Sequence, residues 1–166
     1  MEIKTAGVRS VYTFDSLDED AKEKARDWYK EGNDYPFLNE SITEYTQESI
    51  RSLGYSIEDF EAFYSLSHCQ GDGVAFSATL EKDGKTYFVK NGRSNYIASV
   101  HTEDEDGNET DSLEVLKEME KIARDATRAG YEEIANEDSD EVVDDAILAN
   151  DYTFTSEGKR LDADAI

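Results

Sequence analysis

Basic residues are scarce in this chain: 17 Lys and Arg stand against 40 Asp and Glu in 166 residues, a formal net charge of −23. Such a surface repels nucleic-acid phosphates and anionic lipid heads, so neither direct nucleic-acid binding nor membrane-surface binding is expected. Cysteine is nearly absent. A lone Cys69 forms no internal disulfide, and with two histidines, His68 and His101, it makes no structural zinc site unaided. Proline occurs once and glycine ten times, too rarely for a linker-like polymer. No apolar run approaches the roughly 20 residues that cross a bilayer. Met1-Glu2-Ile3-Lys4-Thr5-Ala6 lacks the basic-then-apolar order of a secretory signal. A reducing, cytoplasmic location is the expectation.

What is present is enough for a modest core. Ten Tyr, seven Phe and one Trp are spread along the chain, although charged residues reach 34% and hydrophobic ones only 37%. A helix is predicted over 16–31, opened by a Ser16/Glu19 capping box, carried by Leu17, Ala21, Ala25, Trp28 and Tyr29, and stopped at Gly32. A second, over about 38–53, follows Pro36, with Leu38, Ile42, Tyr45, Ser49 and Leu53 as its stripe. The period then changes. Residues 60–66, 74–80, 86–90 and 95–101 are short and rich in β-formers, and Asp83-Gly84 is the strongest hairpin signal. A helix follows Asp111 with Leu113, Leu116, Met119, Ile122, Ala123 and Ala126, ending or bending near Gly130. A shorter one covers about 139–149, and 152–161 forms a small hairpin. The expected fold is α+β in a single domain, 1–166. An antiparallel four-stranded meander carries two N-terminal and two C-terminal helices, with the small terminal hairpin after them.

The charge is uneven. Residues 1–101 hold 18 acids and 11 bases, whereas 102–166 hold 22 acids and 6 bases. No base occurs between Arg128 and Lys159. Like charges at i,i+4 cost a helix a few tenths of a kcal/mol per pair, so this segment gives up stabilisation that mixed signs would supply. Glu132, Glu133, Glu137, Asp138, Asp140, Glu141, Asp144 and Asp145, displayed on a rigid helix, are the candidate partner-binding residues.

Other candidate chemistry is thinner. The loop Thr102–Asn108 resembles a calcium loop, but aligning Gly107 with the loop glycine puts Thr102 and Leu113 where carboxylates belong. It reads as a solvated hairpin tip. His68 and Cys69 are adjacent on a presumed strand and point apart, with His101 the one other imidazole, so Cys69 is expected to be buried and structural. No catalytic residue, metal ligand or cofactor is assigned. Gln70-Gly71-Asp72-Gly73 is read first as a glycine-permitted turn and second as a recognition loop with Asp72 and Gln70 exposed.

Three blocks carry a resemblance: Tyr12–Leu17 with Ala21–Ala25, Tyr64–Phe76, and Ala149–Lys159. Together they resemble a family of small acidic proteins encoded mostly by bacteriophages and mobile elements and labelled antitoxin of a toxin–antitoxin stability system. The family's aromatic-rich stretch before Gln-Gly-Asp-Gly is replaced here by Ser67, His68 and Cys69. With the charge, the resemblance implies a non-enzymatic acidic inhibitor in a bacterial host cytoplasm. Its partner would be a basic protein: a nuclease, restriction enzyme, CRISPR effector or toxin whose Lys/Arg groove the carboxylates enter as DNA mimics. An enzyme working from carboxylates or Cys69, and an acidic structural protein without mimicry, are the alternatives.

Overall fold

The computed structural model describes the backbone of residues 2–5 and 9–161 and the side chains of 10–161. The fold is α+β, in two compact units: Met1–Tyr35 with Ile134–Ile166, and Pro36–Glu133.

The second unit is built from neighbours in sequence. Helix α2 (Leu38–Ser52) precedes an antiparallel sheet of β3 (Ser56–Ser65), β4 (Gly73–Lys82), β5 (Lys85–Asn91), β6 (Ile97–Glu103) and β7 (Glu109–Asp111), in that spatial order. The meander has five strands where four were expected, because the acidic tip after β6 returns as β7. Asp83 and Gly84 take φ of 53° and 78° between the paired Lys82 and Lys85, the left-handed geometry of a tight primed turn. In β3 a bulge between Glu58 and Glu61 adds one residue against β4. That shift resets the alternation, so Phe60 stacks on buried Phe76 at 5.6 Å while Glu58 and Glu61 stay exposed. Helix α3 (Leu113–Glu137) lays Val115, Met119, Ile122 and Ala123 into one core with Ile50, Phe76, Leu80, Val89 and Val100.

Three helix details depart from the sequence reading. The buried stripe of α2 is Leu38, Ile42, Thr46 and Ile50, while Tyr45 and Leu53 are each 39% exposed. Leu113 is 68% exposed, and Val115 takes the place expected for it. Gly130 does not stop α3, which runs on to Glu137. A Cβ there would lie 2.6 Å from Leu66 Cδ1, so any larger residue would require the end of that side chain to shift.

The first unit joins the two ends of the chain. Strands β1 (Glu2–Thr5) and β2 (Arg9–Thr13), absent from the sequence reading, pair with β8 (Thr153–Phe154) and β9 (Arg160–Leu161) in the order β1-β2-β8-β9. Helices α1 (Glu19–Gly32) and α4 (Asp140–Ala149) share a core of Phe14, Leu17, Ala21, Ala25, Val143, Ile147 and Phe154. The expected placement of all four helices on the meander is therefore corrected: α1 and α4 belong to this second core. The capping box is also corrected. Asp18 caps α1 by accepting from the Ala21 amide at 2.8 Å, while the Ser16 hydroxyl donates to the Thr13 carbonyl at 2.7 Å within a 3₁₀ turn. Among the described residues no helix is long and apolar enough to cross a membrane.

Candidate functional site

The eight candidate carboxylates do not share one rigid helix. α3 ends at Glu137, and Ser139, in extended backbone, caps the separate helix α4. Glu132 and Glu133 belong to the second unit, the other six to the first. Glu132 is exposed, and Glu133 accepts a 2.8 Å bond from the Ser41 hydroxyl. Asp138 accepts from the Tyr35 hydroxyl at 2.8 Å; burial first, and then this bond, push the phenol up to about 12. Glu137 is half-buried. Asp140, Glu141 and Asp145 are exposed.

Asp144 decides how the site is organised. Small Ala21 and Ala25 let α1 approach Val143 and Ile147 of α4, and at this seam Arg26 is only 7% exposed. Its Nε and Nη2 donate to the two oxygens of Asp144 at 2.7 and 2.9 Å, a bidentate pair. Nη1 donates to Glu23 at 2.7 Å, with Glu19 and Asp140 each 4.0 Å away. The guanidinium also lies 5.7 Å from the Phe14 ring centroid. The bond to Asp144 raises its already high pKa further. One buried cation thus faces four carboxylates, and a negative excess stays at the surface.

The flanking surface extends it. Glu19, Glu23, Asp27 and Glu31 recur at i,i+4 along α1, and Glu141 and Asp145 do so along α4, all exposed. Carboxylates four residues apart are about 6 Å apart along a helix axis. The α1 row was missed in the sequence reading. Its signal was the i,i+4 repetition itself, masked by the lysines interspersed on the same helix.

The Gln70–Gly73 string is a turn, with Gly71 and Gly73 at φ of 86° and 144°. Asp72 is not the exposed handle expected of a recognition loop. It is half-buried and accepts from the Ser65 hydroxyl at 3.0 Å, the Cys69 thiol at 3.1 Å, the Ser67 amide at 2.8 Å and the Tyr131 hydroxyl. The Tyr131 bond above all holds its carboxyl well below the usual range. Tyr131 also accepts from the His68 amide at 3.0 Å, and its ring stacks on His68 at 4.4 Å. Asp72 therefore latches the loop to α3, while Gln70 is exposed.

Cys69 is exposed, against the expectation of a buried residue, because β3 ends at Ser65 and leaves His68 and Cys69 in the turn. His101 stacks on Phe88 at 5.3 Å with Nε2 3.6 Å from Glu109. The Thr102–Asn108 segment is the expected hairpin tip. Asp104 accepts from the Asp106 and Asn108 amides at 2.9 and 2.8 Å, and these bonds, the Asn108 amide foremost, lower its pKa. Among the described residues no group of three His, Cys, Asp or Glu is arranged to hold a metal ion. No protein-family model, no curated protein and no solved structure matches this chain.

Proposed function

We propose that this chain is a non-enzymatic, antitoxin-like acidic inhibitor of phage or mobile-element type, which neutralises a basic nucleic-acid-binding protein through the carboxylates of α1 and α4. The observation that carries the reading is the fate of Arg26. The cation at the seam is buried and spent on Asp144 and Glu23, and α4 contains no base, so the exposed Asp27, Glu31, Glu141 and Asp145 face solvent as surplus charge. A Lys/Arg groove that grips duplex nucleic acid gains the same complementarity from such rows, and counterion release makes the association salt-sensitive. Six candidates stay in this interface, with Asp144 and Asp138 as its supports. Glu132 and Glu133 lie on the second unit.

The test is competition. A host DNA-binding protein with a Lys/Arg-lined groove is loaded with fluorescent duplex, and displacement by the purified chain is measured. The quadruple variant Asp27→Asn, Glu31→Gln, Glu141→Gln, Asp145→Asn is expected to displace at least tenfold less well than wild type. The charge-matched variant Glu103→Gln, Glu105→Gln, Asp106→Asn, Asp111→Asn, on the second unit, is expected to stay within about threefold of it. Equal loss in both means that net charge alone acts, and the α1–α4 face has no special role. Absence of displacement by wild type for every such groove leaves a merely solvated acidic surface.

A further inference from the structure

In a chain so poor in cations, three of them meet in one place. A cleft of about 270 Å³ in the first unit is lined by Lys24 and Trp28 of α1 and by Glu157, Gly158, Lys159 and Arg160 at the β8–β9 turn. The turn is locked: the Thr155 amide donates to the Lys159 carbonyl at 2.8 Å, the Gly158 amide to Thr155 at 2.9 Å, and the Lys159 amide to the Thr155 hydroxyl at 3.1 Å. Gly158, at φ 91°, sits so close to α1 that a Cβ would lie 2.1 Å from the Ala21 carbonyl oxygen. The approach that only glycine permits brings Lys159 and Arg160 beside Lys24.

None of the three cations has a carboxylate within 4 Å among the described residues, although acids outnumber bases more than twofold and Glu157 lines the same cleft. Arg160 is placed by aromatic rings. Its Cζ lies 4.7 Å from the Tyr152 centroid and 5.6 Å from that of Trp28, and its Nε is buried without a hydrogen-bond partner. A guanidinium fixed by ring faces keeps its donor capacity for a ligand, at a point where the field of the whole molecule opposes anions. Three cations without a carboxylate within 4 Å among the described residues thus line one cleft against that field.

We infer that this cleft binds a phosphate group, free or carried by a small ester. Lys24, Lys159 and the Arg160 guanidinium would donate to its oxygens, and the Trp28 ring would form an apolar wall for an organic substituent. The inference does not depend on the partner proposed for the acidic face.

Trp28 is the sole tryptophan, so its fluorescence reports on the cleft without a label. Inorganic phosphate and phenyl phosphate are titrated separately, with sodium chloride at matched ionic strength as reference. Both phosphates are expected to give a saturable change that chloride does not. Tighter binding of phenyl phosphate assigns the ester as ligand, and equal binding assigns the free anion. Lys24→Gln with Lys159→Gln, two exposed positions, should weaken binding at least tenfold while the circular dichroism spectrum is retained. Amide shifts at Gly158, Lys159 and Arg160 in wild type give a second reading. A response no larger than that to chloride, or wild-type affinity in the double variant, overturns the assignment.

Discussion

The two units solve the same shortage of apolar residues in different ways. The second stacks hairpins made of successive segments and fills its core mainly with aliphatic side chains from α2, α3 and the sheet. The first pairs Tyr12 with Phe154 and builds its core from Phe14, Phe154, Trp28 and Tyr152, with Lys22, Arg26 and Arg160 set against the rings. Closing a loop of more than a hundred residues costs chain entropy before any contact returns it. Cations laid over aromatic faces and the bidentate Arg26–Asp144 pair offset part of that cost. Polar groups thus serve as core material in the first unit, and its exposed carboxylates stand on supports that are themselves charged.

Core substitutions should separate the units most strongly. Phe76→Ala, at 0% exposure in the second unit, is expected to cost about 3–5 kcal/mol in urea unfolding. Gly158→Ala, in the first, should cost about 3 kcal/mol or more, from both the positive φ and the clash with Ala21. A Gly158→Ala protein as stable as wild type would show that the turn does not press against the Ala21 backbone.

A step smaller is the seam. Arg26→Gln removes the guanidinium from Asp144 and is expected to cost about 2–3 kcal/mol, below the range for a fully buried pair because Asp144 is 27% exposed. Asp145→Asn, one residue from Asp144, should change stability by no more than about 0.5 kcal/mol, in the stabilising direction. Equal effects of Asp144→Asn and Asp145→Asn would remove the distinction between supporting and surface carboxylates.

The pH responses should differ in sign. Asp72 has a depressed folded pKa, so its support of the loop is complete above the unfolded value of about 4 and is lost as pH falls below it. Hydrogen exchange at the Ser67 amide should speed up roughly tenfold in Asp72→Asn, and the acid dependence should vanish with it. Tyr35, in the first unit, is raised to about 12, so its contribution is full below the unfolded value of about 10 and is lost as pH rises through 12. Tyr35→Phe should flatten that alkaline loss, read as unfolding midpoint against pH.

Much of the second unit was legible because its signals are local. The Asp83-Gly84 turn, the change of period after α2 and the apolar positions of α3 each depend on residues a few places apart. The first unit was legible only in its helices and its last hairpin. Strands β1 and β2 were not read from the sequence: β1 pairs with its neighbour β2, and β2 pairs with β8 from the far end of the chain, a partner that its own residues do not announce. The α1–α4 face was half visible: its α4 carboxylates stood out by the lack of bases, and its α1 row did not.

By itself the sequence determined the sign of the surface, the α+β class, the order of the helices along the chain and the segment where charge is least balanced. These follow from composition and from periods of two and 3.6 residues, which need no knowledge of what lies opposite. Only the tertiary structure decided that Asp144 is committed to Arg26 while Asp145 faces solvent, and that Asp72 holds a loop in place of projecting from it. It also decided that Cys69 is exposed, and that Lys24 meets Lys159 and Arg160. The reason is physical: two carboxylates with the same local sequence context differ in energy and in use only through the groups brought against them from elsewhere in the chain.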